Sequence, residues 1–109
     1  RVLSGKLQLD ARPTDLGAFV EGVVAGQRPE AESRGLVLGF RRPADGPTVV
    51  LDGARFQPVL WNLLANAFKF TPAGGRVRVV VGVEDGQATI AVEDTGTGIA
   101  HEFLPAVFD

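Results

Sequence analysis

Apolar positions recur along this chain in two rhythms. Leu16, Phe19, Val20, Val23 and Val24 fall at helical spacing in a segment that opens LGAFVEGVV, the pattern of an amphipathic helix. Thr14 or Asp15 stands where a capping residue would start it, and Arg34-Gly35 where it should end. Pro29 is expected to kink or interrupt it. Phe56, Val59, Leu60, Leu63, Leu64 and Ala67 make a second stripe, in a helix over about residues 53–70 with Asp52 as its N-cap. Pro58 lies several residues in, so this helix is expected to start near it or bend there. Pro72 and Gly74-Gly75 stop it.

The other rhythm is that of strands. KLQLDARP reads as a short first strand, LVLGF (36–40) as a second and TVVLD (48–52) as a third, with the turn RRPADGP between the last two. RVRVVVGVE (76–84) alternates and then runs apolar, DGQ is a hairpin turn, and ATIAVED (88–94) returns antiparallel. The order is strand, helix, two strands, helix, two strands, which predicts a sheet with its helices on one face. No segment repeats another.

Composition narrows the class without naming it. With 109 residues, 45% apolar and 22% charged, the chain suits one globular domain, large enough to bury roughly 65% of its unfolded surface. A net charge of −2 argues against a nucleic-acid footprint, which needs a basic face. No apolar run approaches the roughly 20 residues of a membrane helix, so no direct membrane contact is expected, and a cytoplasmic location fits. The absence of cysteine excludes disulfides and thiolate metal sites. The chain begins at Arg1 and contains no methionine, so it is expected to be a piece of a longer protein.

The second helix carries a polar feature that its core does not need. Asn62, Asn66 and Lys69, with Ala73 continuing the line, follow i, i+4, i+7 spacing and share one edge beside the apolar face. An amide oxygen is a hard ligand suited to Mg²⁺ that also holds phosphate, and Lys69 offers a point charge to the same phosphates. The alternative is a solvated helix edge that happens to carry two amides. Nine of the eleven basic residues are arginine, which makes Lys69 a departure from this chain's habit.

A second candidate is VEDTGTGIA, residues 92–100. A Val- and Ile-rich strand ends at Asp94, and the chain is expected to leave the sheet there in a loop with Gly96 and Gly98. Glycine permits positive φ and the close approach of a ligand to the backbone. A carboxylate at a strand end accepts a hydrogen bond from an exocyclic amine such as that of adenine. A plain turn is the alternative.

NLLANAFKFTP (62–72) followed by DTGTGI (94–99) resembles the N box and first glycine box of the ATP-binding catalytic domain of sensor histidine kinases. FLPAVFD (103–109) resembles the start of the family's F box, and LQLDARPTDLGAFVEGVV its opening strand and first helix. The resemblance implies an α+β two-layer sandwich of Bergerat (GHKL) type, a mixed sheet with helices on one face, incomplete at its C-terminus. It implies ATP and Mg²⁺ as cofactors. Asn66 would coordinate Mg²⁺ and Lys69 contact phosphate, these two being the catalytic pair. Asp94 would bind the adenine amine, Gly96 and Gly98 would floor the base, and Asn62, Phe70 and Ile99 would complete the nucleotide site. Residues 1–10 would be a linker from the dimerisation helix and residues 11–109 a partial catalytic domain. The implied partners are the protein's own dimerisation and phosphoacceptor domain and a response-regulator receiver domain, with no nucleic acid.

Position 62 separates branches of this superfamily. Relatives that hydrolyse ATP, such as type II topoisomerases and mismatch-repair ATPases, carry a Glu one turn before the Mg²⁺-binding Asn, a general base for water. Here the residue is an amide, which points to a kinase. The second glycine box, the lid and the final strand have no counterpart in residues 1–109, and the phosphoacceptor histidine is expected upstream. His101 is expected to be a surface or helix-start residue and not the acceptor, and Phe103 and Phe108 core or lid-anchoring aromatics. Alternatives are a nucleotide-binding but catalytically silent scaffold, an anti-sigma-type serine kinase, or a GHKL ATPase.

Overall fold

The computed structural model describes residues 11–44, 46–95 and, as backbone, 98–107. The elements run β1 (Arg12–Asp15), α1 (Leu16–Ser33), β2 (Val37–Arg41), β3 (Thr48–Leu51), α2 (Gly53–Phe70), β4 (Arg76–Glu84), β5 (Gln87–Asp94) and β6 (Gly98–Val107). Of the expected first strand only its end is seen, since residues 1–10 lie outside the described residues. The expected linker falls there too.

Asp15 starts α1: its carboxylate accepts from the Ala18 N–H at 3.1 Å, satisfying a donor that the first turn leaves without a helical partner. Pro29 neither ends nor interrupts the helix, which runs on to Ser33. Val24 and Ala31, buried on either side of it, tie both halves to the core, and packing outweighs the one hydrogen bond that proline removes. The end is a Schellman motif. Gly35, at φ +72°, follows the cap, Gly35 N–H donates to Glu32 O at 3.0 Å and Leu36 N–H to Ala31 O at 2.9 Å.

Asp52 starts α2 in the same way, accepting from the Arg55 N–H at 3.3 Å. The helix does not start near Pro58: it begins at Gly53, as the expected range of about 53–70 has it, and contains Pro58. Buried Phe56 and Leu60 flank the proline and hold the first turns in place. The helix ends at Phe70, so Ala73 stands beyond its edge.

β2, β4, β5 and β6 form one mixed sheet in that order, and β1 pairs with β3 in a small antiparallel ladder. β2 runs parallel to β4, the other pairs antiparallel. Arg28 reaches the outer edge of β2 and donates to the Leu38 carbonyl. The β4–β5 hairpin closes through Asp85 and Gly86, at φ 53° and 77°, the two left-handed residues of a type I′ turn. Alternation then sorts the sheet into faces. Leu38, Val77, Val79, Val81, Ile90 and Val92 join Leu16, Val20, Val24, Leu60 and Leu64 in a single core, so both helices cover one face, as the element order implies. On the other face Arg78 pairs with Glu93 at 2.6 Å.

The last strand differs from expectation. The chain was expected to leave the sheet after Asp94, yet Gly98–Val107 runs antiparallel along β5, with Gly98 opposite Asp94. Ile99, Phe103 and Val107 are good strand formers, and this pairing closes an edge of β5 that would otherwise be open. His101 lies in this strand opposite Ala91 and Phe103 opposite Thr89, so His101 is not a helix-start residue. Phe108 lies outside the described residues.

Candidate functional site

The apolar stripe fixes how α2 lies. Phe56, Leu60, Leu64, Ala67 and Phe68 are buried, which turns Asn62, Asn66 and Lys69 outward along an exposed edge. Lys69 sits in the last turn, where the helix dipole favours a cation. Its Nζ lies 5.6 Å from the centroid of the Phe70 ring, within cation–π range, and that ring is 54% exposed. Four of the expected residues therefore lie along the second half of a single helix, on its exposed side.

Asp94 comes from the sheet. It ends β5 opposite Val77, and Val77 is fully buried beneath the helices. The register thus puts Asp94, half-buried, on the helix-bearing face. The end of α2 meets the end of β5 through a tight joint. Thr71 is buried and donates from Oγ1 to Ala67 O at 2.7 Å. A Cβ on Gly75 would stand 2.5 Å from Thr71 Cγ2 and 2.8 Å from Thr95 Oγ1, closer than atoms can approach. The main chain after α2 is pinned further by Gly74 N–H to Gly35 O at 2.8 Å and Val37 N–H to Gly75 O at 3.1 Å.

The structure therefore brings the amide and cation edge of α2 toward the strand end that holds Asp94, with Gly98 beside it. Ile99 stands opposite Glu93 in the register, a position on the other face of the sheet, and Gly96 lies outside the described residues. An open depression of about 440 Å³, lined by Arg41, Arg42, Pro43 and Val80 to Val83, touches none of these residues and sits toward the opposite end of β4. Among the described residues no group of three or more Asp, Glu or His side chains could hold a metal ion. Sequence reasoning missed Thr71, Gly75 and Thr95 as the residues that join the two halves. A glycine placed directly before a Val-rich strand, and a threonine directly after a strand-end carboxylate, were the signals available.

A mixed sheet covered on one face by two helices, with polar residues along the outer edge of the second, defines an α+β two-layer sandwich. Residues 51–109 match the family described as histidine kinase-, DNA gyrase B- and HSP90-like ATPase, and the chain belongs to that family. It is 35% identical over 105 residues to the aerobic respiration control sensor protein ArcB of Escherichia coli, covering 94% of this chain and 13% of that protein. The solved structure of full-length ShkA in complex with AMPPNP is 31% identical, with a TM-score of 0.72 over 83% of this chain and 19% of that one. A histidine kinase from Burkholderia phymatum has a TM-score of 0.76 at 23% identity, over 89% of this chain and 45% of its own. The chain spans only a minor part of the length of these relatives.

Proposed function

We propose that this chain is the ATP-binding catalytic module of a two-component sensor histidine kinase, with residues 11–109 as its catalytic part and residues 1–10 as the connector from a dimerisation helix. The observation that carries the proposal is the joint of Thr71, Gly75 and Thr95, which ties the end of α2, the helix bearing Asn62, Asn66 and Lys69, to the strand end bearing Asp94. One group of residues suits phosphates and the other suits a base. ShkA, a relative at 31% identity, was solved with an ATP analogue, which supports the choice of ligand.

In this reading Asp94 accepts a hydrogen bond from the adenine amine, and Gly96 and Gly98 lie beneath the base. Asn62 and Phe70 border the nucleotide, Ile99 standing on the other face of the sheet, and Lys69 offers its charge to the phosphates. Mg²⁺ fits the donor set. A lone amide from Asn66, with no carboxylate cluster among the described residues, suits a cation that takes most of its ligands from phosphate and water. When bound, the ion neutralises charge on the phosphate oxygens. The residues of this chain hold and orient the nucleotide, and transfer of this kind needs mainly positioning and charge neutralisation.

The γ-phosphoryl group goes to a histidine outside residues 1–109, on the protein's own dimerisation domain, for relay to a response-regulator receiver domain. Asn62 supplies no general base, which favours transfer over hydrolysis. No helix among the described residues is long and apolar enough to cross a membrane, in keeping with a module that acts in the cytoplasm. Incubating the protein as its gene encodes it with labelled ATP and Mg²⁺ tests the proposal. Acid-labile, base-stable label is expected in the wild type and not in Asn66→Ala. A wild type that hydrolyses ATP without taking up label would refute the kinase reading.

A further inference from the structure

The residue directly after Asp94 closes the β4–β5 ladder in an irregular way. Thr95 N–H donates to the Arg76 carbonyl at 3.1 Å, as a strand residue would. In a regular antiparallel pair the return bond would run from Arg76 N–H to the Thr95 carbonyl. Here Arg76 N–H donates instead to the Thr95 hydroxyl oxygen, at 3.1 Å. The side chain stands in for the main chain. The ladder thus stays closed beyond Asp94, at Thr95 itself.

The same hydroxyl faces the end of α2. A Cβ on Gly75 would lie 2.8 Å from Thr95 Oγ1, 2.5 Å from Thr71 Cγ2 and 2.9 Å from Pro72 O. Only glycine lets these three groups converge. Thr71 is anchored in turn to Ala67, which lies between Asn66 and Lys69 in sequence. Contacts thus run unbroken from the helix turn that bears the phosphate-side residues, through Thr71, Gly75 and Thr95, to the residue that carries the base-side carboxylate.

We propose that Thr95 is a positioning residue for adenine recognition. Its hydroxyl fixes the main chain at Asp94 against β4 and against the end of α2, and so sets the carboxylate at the distance from Asn66 and Lys69 that one nucleotide spans. The proposal rests on the nucleotide-binding reading above. Thr95→Val keeps the shape and removes the acceptor, leaving Arg76 N–H without its partner, whereas Thr95→Ser keeps the acceptor.

The test measures binding of ATP and of ITP, whose base has a carbonyl where adenine has its amine, by calorimetry on the protein as its gene encodes it. Loss of one hydrogen bond at the joint is expected to weaken ATP binding by roughly threefold to tenfold and to leave ITP binding unchanged. The ATP-to-ITP preference therefore shrinks by that factor in Thr95→Val and returns in Thr95→Ser. If Thr95→Val does not fold, the same ratio compared between Thr95→Ala and Thr95→Ser decides the matter. An unchanged ratio with ATP still bound overturns the role of Thr95 alone, and so does an equal loss for both nucleotides. A wild type that binds no ATP overturns the nucleotide reading itself, and the role of Thr95 with it.

Discussion

Asn66→Ala and Leu64→Ala, two residues apart on α2, should have opposite effects on stability and on function. Leu64 is fully buried in the core. Truncating it removes apolar area and leaves a cavity, at a cost of about 2–5 kcal/mol. In a domain of this size, each kcal/mol lowers the thermal midpoint by about 4–8 °C, so Leu64→Ala should melt at least about 8 °C lower. Asn66 lies on the exposed edge, and alanine is the better helix former by up to about 0.7 kcal/mol. Asn66→Ala should therefore melt at the same temperature as the wild type or up to about 6 °C higher. Function should run the other way, since the proposed role of this amide is to be the ligand the chain offers to Mg²⁺. The Mg²⁺-dependent part of ATP binding, measured by calorimetry with and without EDTA, should vanish in Asn66→Ala along with phosphoryl transfer. A midpoint lowered by several degrees would mean that Asn66 is structural. A full Mg²⁺ effect on ATP affinity in the same variant would mean that the amide is not the ligand.

Other substitutions test separate parts of the structure. Asp94→Asn presents an NH₂ to the adenine amine and should weaken ATP binding by about 1–3 kcal/mol, read by calorimetry, while GTP should bind poorly to the wild type; equal affinity for the two would refute the base contact. Asp52→Ala removes a buried cap that accepts from Arg55 N–H, and chemical denaturation should show a loss of about 1–2 kcal/mol. Only a few tenths of that loss should disappear at high salt, because Arg55, its ion-pair partner at 3.4 Å, is exposed. Gly35→Ala puts a side chain at φ +72° and should destabilise the domain by about 1 kcal/mol, seen as a lower midpoint with nucleotide selectivity unchanged.

Much of this molecule could be read from its sequence, because local rules and tertiary packing agree there. The bounds of β4 and the hairpin at Asp85-Gly86 follow from an alternating and then apolar run broken by a turn pair. The caps Asp15 and Asp52 follow from carboxylates placed before apolar periodicity. Local rules failed at Pro29 and Pro58, where proline's preference points to a break. Buried neighbours on both sides keep each helix whole, a cost that only the packed core reveals. They failed again after Asp94, where glycine was read as a loop and the free edge of β5 recruited a strand. The shared edge of the candidate residues on α2 could be read because they share one helix and one periodicity. The joint of Gly75 and Thr95 could not, since its hydrogen bond links residues 19 positions apart. No pattern within either segment shows that contact.

The arrangement on α2 explains why one helix can serve both stability and chemistry. A helix with a broad apolar face must bury that face, and here the sheet accepts it through Val77, Val79, Ile90 and Val92. Burial fixes the helix's rotation about its own axis, because a turn that moved Asn66 inward would expose Leu64 and place an amide among hydrocarbon. The core therefore fixes where the polar edge points, without any contact to the polar groups themselves. The joint at Gly75 fixes the remaining freedom, the sliding of the helix end relative to β5. An amide at position 62 completes the logic. A carboxylate there would add a base to this edge, whereas Asn62 adds hydrogen-bonding groups without basicity. The packed core and the choice of amide together suit the proposed role, in which a site holds a phosphoryl donor without wasting it on water.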